Sequence, residues 1–210
     1  MTTESPLRTP GPALQRIHAA ALKLFAERGD TRVSVNDLAL AAGVARGTIY
    51  NNVREPEALF EELAAQLGAE MLERVTRSFV GIEDPAQRLA QGVRQFVRRA
   101  HEEPHWGRFV SRFAFGSKSL HHIWVGQPVQ DLMTGLASGR FDFPEAQMSS
   151  VVTLITGATL GAMFQVLEGH RTWRDAGAEA AELLLVALGL PRNEAHALSR
   201  AELSPLPVLT

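Results

Sequence analysis

Residues 45 to 52 read Ala-Arg-Gly-Thr-Ile-Tyr-Asn-Asn, which gathers an arginine, two side-chain amides and two hydroxyls into about two helical turns. These are the groups that hydrogen-bond to nucleic acid. Arginine pairs bidentately with guanine and asparagine with adenine, while threonine or tyrosine hydroxyls reach phosphate. If the segment is helical, Val44 and Ile49 face a core, and Arg46, Thr48, Tyr50, Asn51 and Asn52 point outward. A short helix of this kind can enter a major groove about 12 Å wide when a second short helix and a tight turn hold it. An ordinary helical hairpin with a solvated polar face would have a similar composition, so the elements around it decide its meaning.

A second constellation points to different chemistry. His101-Glu102-Glu103-Pro104-His105 matches the H-E-x-x-H pattern of zinc hydrolases, which needs both histidines on one continuous helical turn. Pro104 lies inside that turn, where it removes a helical hydrogen bond and clashes with the preceding turn. The reading that follows is a new helix at Pro104 with the histidines diverging, and no metal site. The chain has no cysteine, which excludes disulfides and thiolate zinc sites and fits a reducing cytoplasm. It contains neither a glycine-rich phosphate loop nor a nucleophile elbow, so no catalytic residue and no cofactor is indicated.

The elements that must position residues 45–52 are all helical, because no stretch alternates with period two over a strand length. A first helix runs from about Ala13 to Arg28, with Leu14, Ile17, Ala21, Leu24 and Phe25 on one face and Gly29 at its end. Ser34 caps a second helix in an S-x-x-D arrangement with Asp37, and Val35, Leu38, Ala39 and Ala42 form the inner face. Gly43 permits the sharp turn into the third helix, so residues 33 to 53 form a helix-turn-helix. A fourth helix opens at Pro56 and carries an apolar stripe through Leu59, Leu63, Leu67, Met71, Val75 and Phe79. Further helices are expected at about 85–103, 104–115, 118–138, from Pro144 to near Gly169, and 173–189, followed by a tail across the surface.

The segment Ala21-x2-Leu24-Phe25-x3-Gly29, then Ser34-Val35-x-Asp37-Leu38-Ala39-x2-Ala42-Gly43-Val44-Ala45-x-Gly47-Thr48-Ile49-Tyr50, resembles the DNA-binding domain of TetR-family regulators. The resemblance covers about residues 13 to 60. It implies that Ser34 caps its helix and contacts phosphate. Arg46, Gly47, Thr48, Asn51 and Asn52 would lie along the groove, with Tyr50 on the backbone. The sequence departs from the family pattern at four positions. Ala45 stands where a capping serine is usual, Asn52 where a histidine is frequent, Val53 where a phenylalanine is frequent, and Pro56 where a lysine commonly grips phosphate; Arg54 is the compensating cation.

The resemblance also implies how the rest of the chain is organised: a flexible arm (1–12), the DNA-binding domain (13–56) and a larger helical domain (57–210) for effector binding and dimerisation. A homodimer joined by the last two long helices would use Gly157, Gly161, Leu183, Leu184, Ala187 and Leu188. An apolar effector would meet Phe96, Trp106, Phe109, Phe113, Trp124, Met133 and Phe164, although aromatic stripes of this kind also build plain core. A helix-turn-helix protein with a filled core and no effector is the alternative. The formal charge of −2 divides unevenly: residues 1–54 carry +3 and the remainder −5, a mildly basic head on an acidic body. The polar N-terminus, with three prolines up to Pro12, has no signal-peptide core. Val151 to Leu167, interrupted by Thr153, Thr156, Thr159 and Gln165, reads as a fully buried helix and not as a membrane span. The expected partners are therefore a double-stranded DNA operator, a second copy of the chain and a small effector, with no membrane.

Overall fold

The computed structural model describes residues 11–53 and 55–209, and every regular element in it is helical. The chain divides into two compact units between Leu63 and Ala64, where the sequence alone suggested residue 56.

The first unit is built on α1 (Pro12–Arg28), α2 (Val35–Ala42) and α3 (Arg46–Asn52), which pack against one another in all three pairings. Ile17, Phe25, Leu38 and Ile49 are essentially removed from solvent, and each contributes about 1.5–3 kcal/mol of burial free energy. Phe60 meets the Phe25 ring edge-on with centroids 5.2 Å apart. The Ser34 hydroxyl accepts a 3.1 Å hydrogen bond from the Asp37 amide, as the capping pattern requires. Gly43 takes φ +62°, a left-handed conformation that closes the turn between α2 and α3 at little steric cost. The fourth helix starts later than expected. Pro56 lies in a turn closed by Ala58 N–H to Glu55 C=O (2.9 Å), and α4 runs Leu59–Ser78.

The second unit is organised around α5 (Pro85–Glu102). It packs against α6 (Pro104–Phe113), α8 (Gln127–Ala137), α9 (Met148–Leu167), α10 (Trp173–Ala187) and α11 (Arg192–Arg200), and α7 (Lys118–Val125) packs on α8 and α9. A single 3-10 turn, Glu145–Gln147, follows Pro144, so α9 begins at Met148 and not at Pro144. Two sequence expectations need correction. The helix α11 replaces part of the expected tail; it turns small residues inward, with Ala195 and Ser199 fully buried, and so lacked a bulky apolar stripe. Nor is α9 buried all round. Leu154, Gly157, Gly161 and Phe164 form an exposed row, while Ile155, Thr156, Leu160 and Met163 face inward. The segment Glu145–Leu167 has the length and apolar character of a membrane span, and the inner face of α9 is spent on packing against α5, α6 and α10.

The loop after α8 is fixed from two sides. Arg140 reaches Asp84 with two hydrogen bonds (2.9 and 2.8 Å) and also pairs with Glu194 at 2.7 Å, which ties the N-cap of α5 to α11. Phe141 lies against α8 at Gly135, where an added Cβ would sit 2.0 Å from the ring, so only glycine fits beneath it. Hydrogen bonds from Arg140 hold the Asp84 carboxyl below the usual carboxylate range. The stabilisation from this pair is therefore complete above the unfolded value near 3.8 and is lost as pH falls through the lower folded value. Asparagine keeps the cap but not the charge. Asp84→Asn should destabilise the fold by about 1 kcal/mol at pH 5–7, and the gap should narrow progressively as pH falls below about 4. Chemical denaturation of both proteins across pH measures it.

Candidate nucleic-acid interface and internal cavity

Helix α3 presents its residues in two registers. Ile49 and Val53 turn into the core of the first unit, 0% and 3% exposed, and anchor the helix from behind. Arg46 and Tyr50 form one outward i,i+4 row, and Gly47 and Asn51 form the next; all four are exposed. Thr48 and Asn52 sit at the edge of this surface and are half-buried. Asn52 is turned back on its own helix, donating through Nδ2 to the Thr48 carbonyl at 2.8 Å, so its amide is already engaged. The free outward row is therefore Arg46, Gly47, Tyr50 and Asn51, narrower than the expected set. Ser34 is exposed at the start of α2, where its oxygen caps Asp37 and its hydroxyl proton remains available to donate. Arg54 lies outside the described residues.

One acidic side chain of α2 is neutralised. Arg28 donates to Asp37 at 2.7 Å, which holds that carboxyl below its ordinary range and raises the guanidinium. Arg16, Lys23, Arg32 and Arg46 are exposed on the same unit. Glu27, Asp30, Glu55, Glu57, Glu61 and Glu62 are exposed on it too, so any pull on a polyanion comes from where these cations sit and not from the unit's net charge.

The N-terminus of α3 is unfinished. Ala45 has the extended N-cap conformation (φ −69°, ψ 151°) but no side chain to accept from the first amides; the Thr48 amide closes on the Ala45 carbonyl at 2.9 Å.

Within the second unit, α4, α5, α7, α8 and α9 enclose a small, overwhelmingly apolar cavity of about 60 Å³, lined among others by Phe79, Phe96, Trp124, Leu132, Phe141 and Ile155. Of the seven aromatic and methionine positions expected to line a pocket, it contains Phe96 and Trp124. Trp106 and Phe109 are completely buried elsewhere in the core, with the Arg99 guanidinium 4.5 Å above the Trp106 ring. Phe113 is half-buried against Phe109, and Met133 and Phe164 are 55% and 56% exposed. The polar lining, Arg88, Asp131, Thr156 and Thr159, was missed. Asp131 was legible in retrospect. It falls in register with Leu132 and Gly135 on the inward face of α8, where an unneeded charge is costly.

Of the expected dimer residues, Gly157, Gly161, Leu183 and Ala187 are exposed, and nothing in the chain lies within 4 Å of a Cβ added at either glycine. Leu184 and Leu188 point inward, 2% and 1% exposed, and belong to the core. The H-E-x-x-H pattern is divided between two helices. His101 ends α5, His105 lies in α6, and Pro104 opens the second of these.

Residues 17–63 match the family model for bacterial regulatory proteins of the tetR family, and residues 84–201 match the tetracyclin repressor-like C-terminal domain. The chain belongs to the TetR family. TetR-family chains are DNA-binding transcriptional regulators, in keeping with the outward row on α3. Two uncharacterized HTH-type transcriptional regulators of Mycobacterium tuberculosis are 29% identical over 96 residues, 44% of this chain and 46% of each relative. The chain thus spans about half the length of the curated relatives it matches. Among solved structures, the fold is shared with RolR in complex with resorcinol (TM-score 0.66, 23% identity, 93% of this chain and 96% of that one). It is shared also with the fatty acid degradation regulator FadR of Bacillus halodurans (0.72, 20%, 88% and 100%). A third is FadR of Bacillus subtilis bound to stearoyl-CoA (0.67, 18%, 83% and 97%).

The open cap gives a direct test. Ala45→Ser supplies the missing acceptor at a position already in cap geometry, and should raise stability by about 0.5–2 kcal/mol in thermal or denaturant unfolding. No gain would mean that α3 is already held fully by Ile49 and Val53.

Proposed function

We propose that this chain is a homodimeric repressor. It binds a pseudo-palindromic operator through α3 and releases it when a small, mostly apolar effector enters the cavity of the second unit. The observation that carries the proposal is the outward row Arg46, Gly47, Tyr50 and Asn51, exposed on a helix anchored from behind and engaged by no side chain among the described residues. Arg46 and Asn51 read base edges, Gly47 lets the backbone come close, and Tyr50, Thr48 and Ser34 meet phosphate. Asn52 orients the helix end through Thr48, and Arg54 adds a phosphate contact. The relatives that bind resorcinol and stearoyl-CoA support an effector in the second domain. The protein works in the cytoplasm on DNA and catalyses no reaction.

The second copy docks on the exposed faces of α9 and α10. Leu154, Phe164 and Leu183 are 48%, 56% and 67% exposed there, and Gly157 and Gly161 allow close helix approach. Two recognition helices joined this way fix the half-site spacing, and an effector that prefers another spacing lowers operator affinity by its differential binding.

Selection of bound sequences from random double-stranded DNA should enrich a palindromic motif; an unenriched or asymmetric pool would overturn the reading. Against the selected operator, Arg46→Ala and Asn51→Ala should each cost about 1–3 kcal/mol and relax preference at one base pair. A loss that is uniform across sequences would reassign the residue to phosphate. Phe164→Glu should convert the dimer to monomer in analytical ultracentrifugation while the helical circular dichroism is kept. A variant that stays dimeric moves the interface elsewhere.

A further inference from the structure

The polar groups around the cavity leave both acceptor and donor capacity unused. Asp131 is 8% exposed, and its Oδ1 accepts from Arg88 Nη1 at 3.2 Å and from Gln127 Nε2 at 3.0 Å. Arg88 spends Nε on the Ile82 carbonyl at 2.7 Å, so the one cation at the cavity is already matched by a carboxylate and a backbone oxygen. The second carboxylate oxygen of Asp131 receives no hydrogen bond from the described residues. Thr156 and Thr159 donate to the Val152 and Ile155 carbonyls, each at 2.8 Å, and so offer the cavity only acceptor lone pairs. Trp124 is 6% exposed, and its indole N–H is buried without an acceptor among the described residues. A buried donor left unmade costs about 1–3 kcal/mol, a cost that a ligand supplying the acceptor would remove.

Size narrows the choice. The open space of about 60 Å³ is well below the roughly 150 Å³ that takes a benzene ring, so one six-membered ring already requires the wall side chains to shift. A long acyl chain or a multi-ring compound exceeds it. A free carboxylate or phosphate would find no unpaired cation and would face the Asp131 carboxylate.

We infer that the effector is a small neutral phenol: a single apolar ring whose hydroxyl donates to Asp131 or a threonine oxygen and whose oxygen accepts from the Trp124 N–H. Flat rings suit walls formed by Phe96 and Trp124, whose own centroids lie 5.0 Å apart. This assignment rests on the effector reading above, and the test separates the two.

The full-length protein is titrated calorimetrically with phenol, benzene and octanoate, and the same compounds are added to the complex with its selected operator. Phenol should bind once per chain, about three- to tenfold more tightly than benzene, with octanoate weakest. Trp124→Phe keeps an aromatic wall, though a smaller one, and removes the N–H, and should shrink the advantage of phenol over benzene several-fold; Asp131→Asn, which also disturbs Arg88, serves as the second variant. Equal binding of benzene and phenol, or preference for octanoate, overturns the phenol assignment and leaves a small-molecule effector standing. Tight phenol binding that leaves operator affinity unchanged keeps the site and overturns its role as effector site. No binding by any of the three overturns the phenol assignment.

Discussion

Helix α5 sits among five other helices of the larger unit, yet its sequence carries Gln91, Gln95 and Arg99 on faces that are almost completely buried. A buried polar group without a partner costs as much as a good apolar contact gains, so the arrangement holds only if the neighbours supply partners. They do so in part, chiefly from distant parts of the chain, while Gln95 Oε1 stays without a partner among the described residues. Arg99 lies between Glu70 and Glu103, and Gln95 donates to the Ser204 carbonyl. Gln91 accepts from the Ser204 amide, and Arg74 and Arg94 hold the Pro207 and Ala201 carbonyls. The segment after α11 is therefore part of the core's polar accounting, and its backbone substitutes for the water that α5 lost.

What the sequence revealed follows from how local each signal is. Ser34 with Asp37, the turn at Gly43 and the spacing of Ile17, Phe25, Leu38 and Ile49 all act within a few residues, so the helix-turn-helix was legible. Side-chain orientation at the edge of a helix was not. Asn52 looks like a reading residue until its bond to the Thr48 carbonyl is seen, since a capping-type bond and a base contact demand the same amide. The cavity was misjudged because aromatic density marks packing as well as pockets. Trp106 and Phe109 fill space completely, whereas the wall residues Asp131, Thr156 and Thr159 are polar and were passed over. Helix α11 escaped because its inward residues are Ala195 and Ser199, whose small side chains give hydrophobic periodicity little to register.

One criterion, interaction capacity left unspent, singles out three places in the molecule. On α3 it is an arginine and an asparagine with no partner among the described residues. On α9 and α10 it is the exposed apolar side chains of Leu154, Phe164 and Leu183. In the cavity it is an indole N–H and a carboxylate oxygen. The first two are backed by side chains buried in the core: Ile49 and Val53 behind α3, and Leu184 and Leu188 behind the outward leucine of α10.

Phe141 has two duties, and they restrict the order in which the protein can change. Its ring lies against the bare backbone of Gly135 and at the same time forms part of the cavity wall. Position 135 is closed to every side chain while the ring is present. A smaller residue at 141 would widen the cavity and also lift that restriction. A descendant with a taste for bulkier molecules would therefore gain its new specificity at residue 141 first. Only afterwards could it exchange the glycine for a residue that strengthens α8. The reverse order passes through an intermediate in which the Phe141 ring must leave its place to clear the new Cβ, so the two positions are coupled.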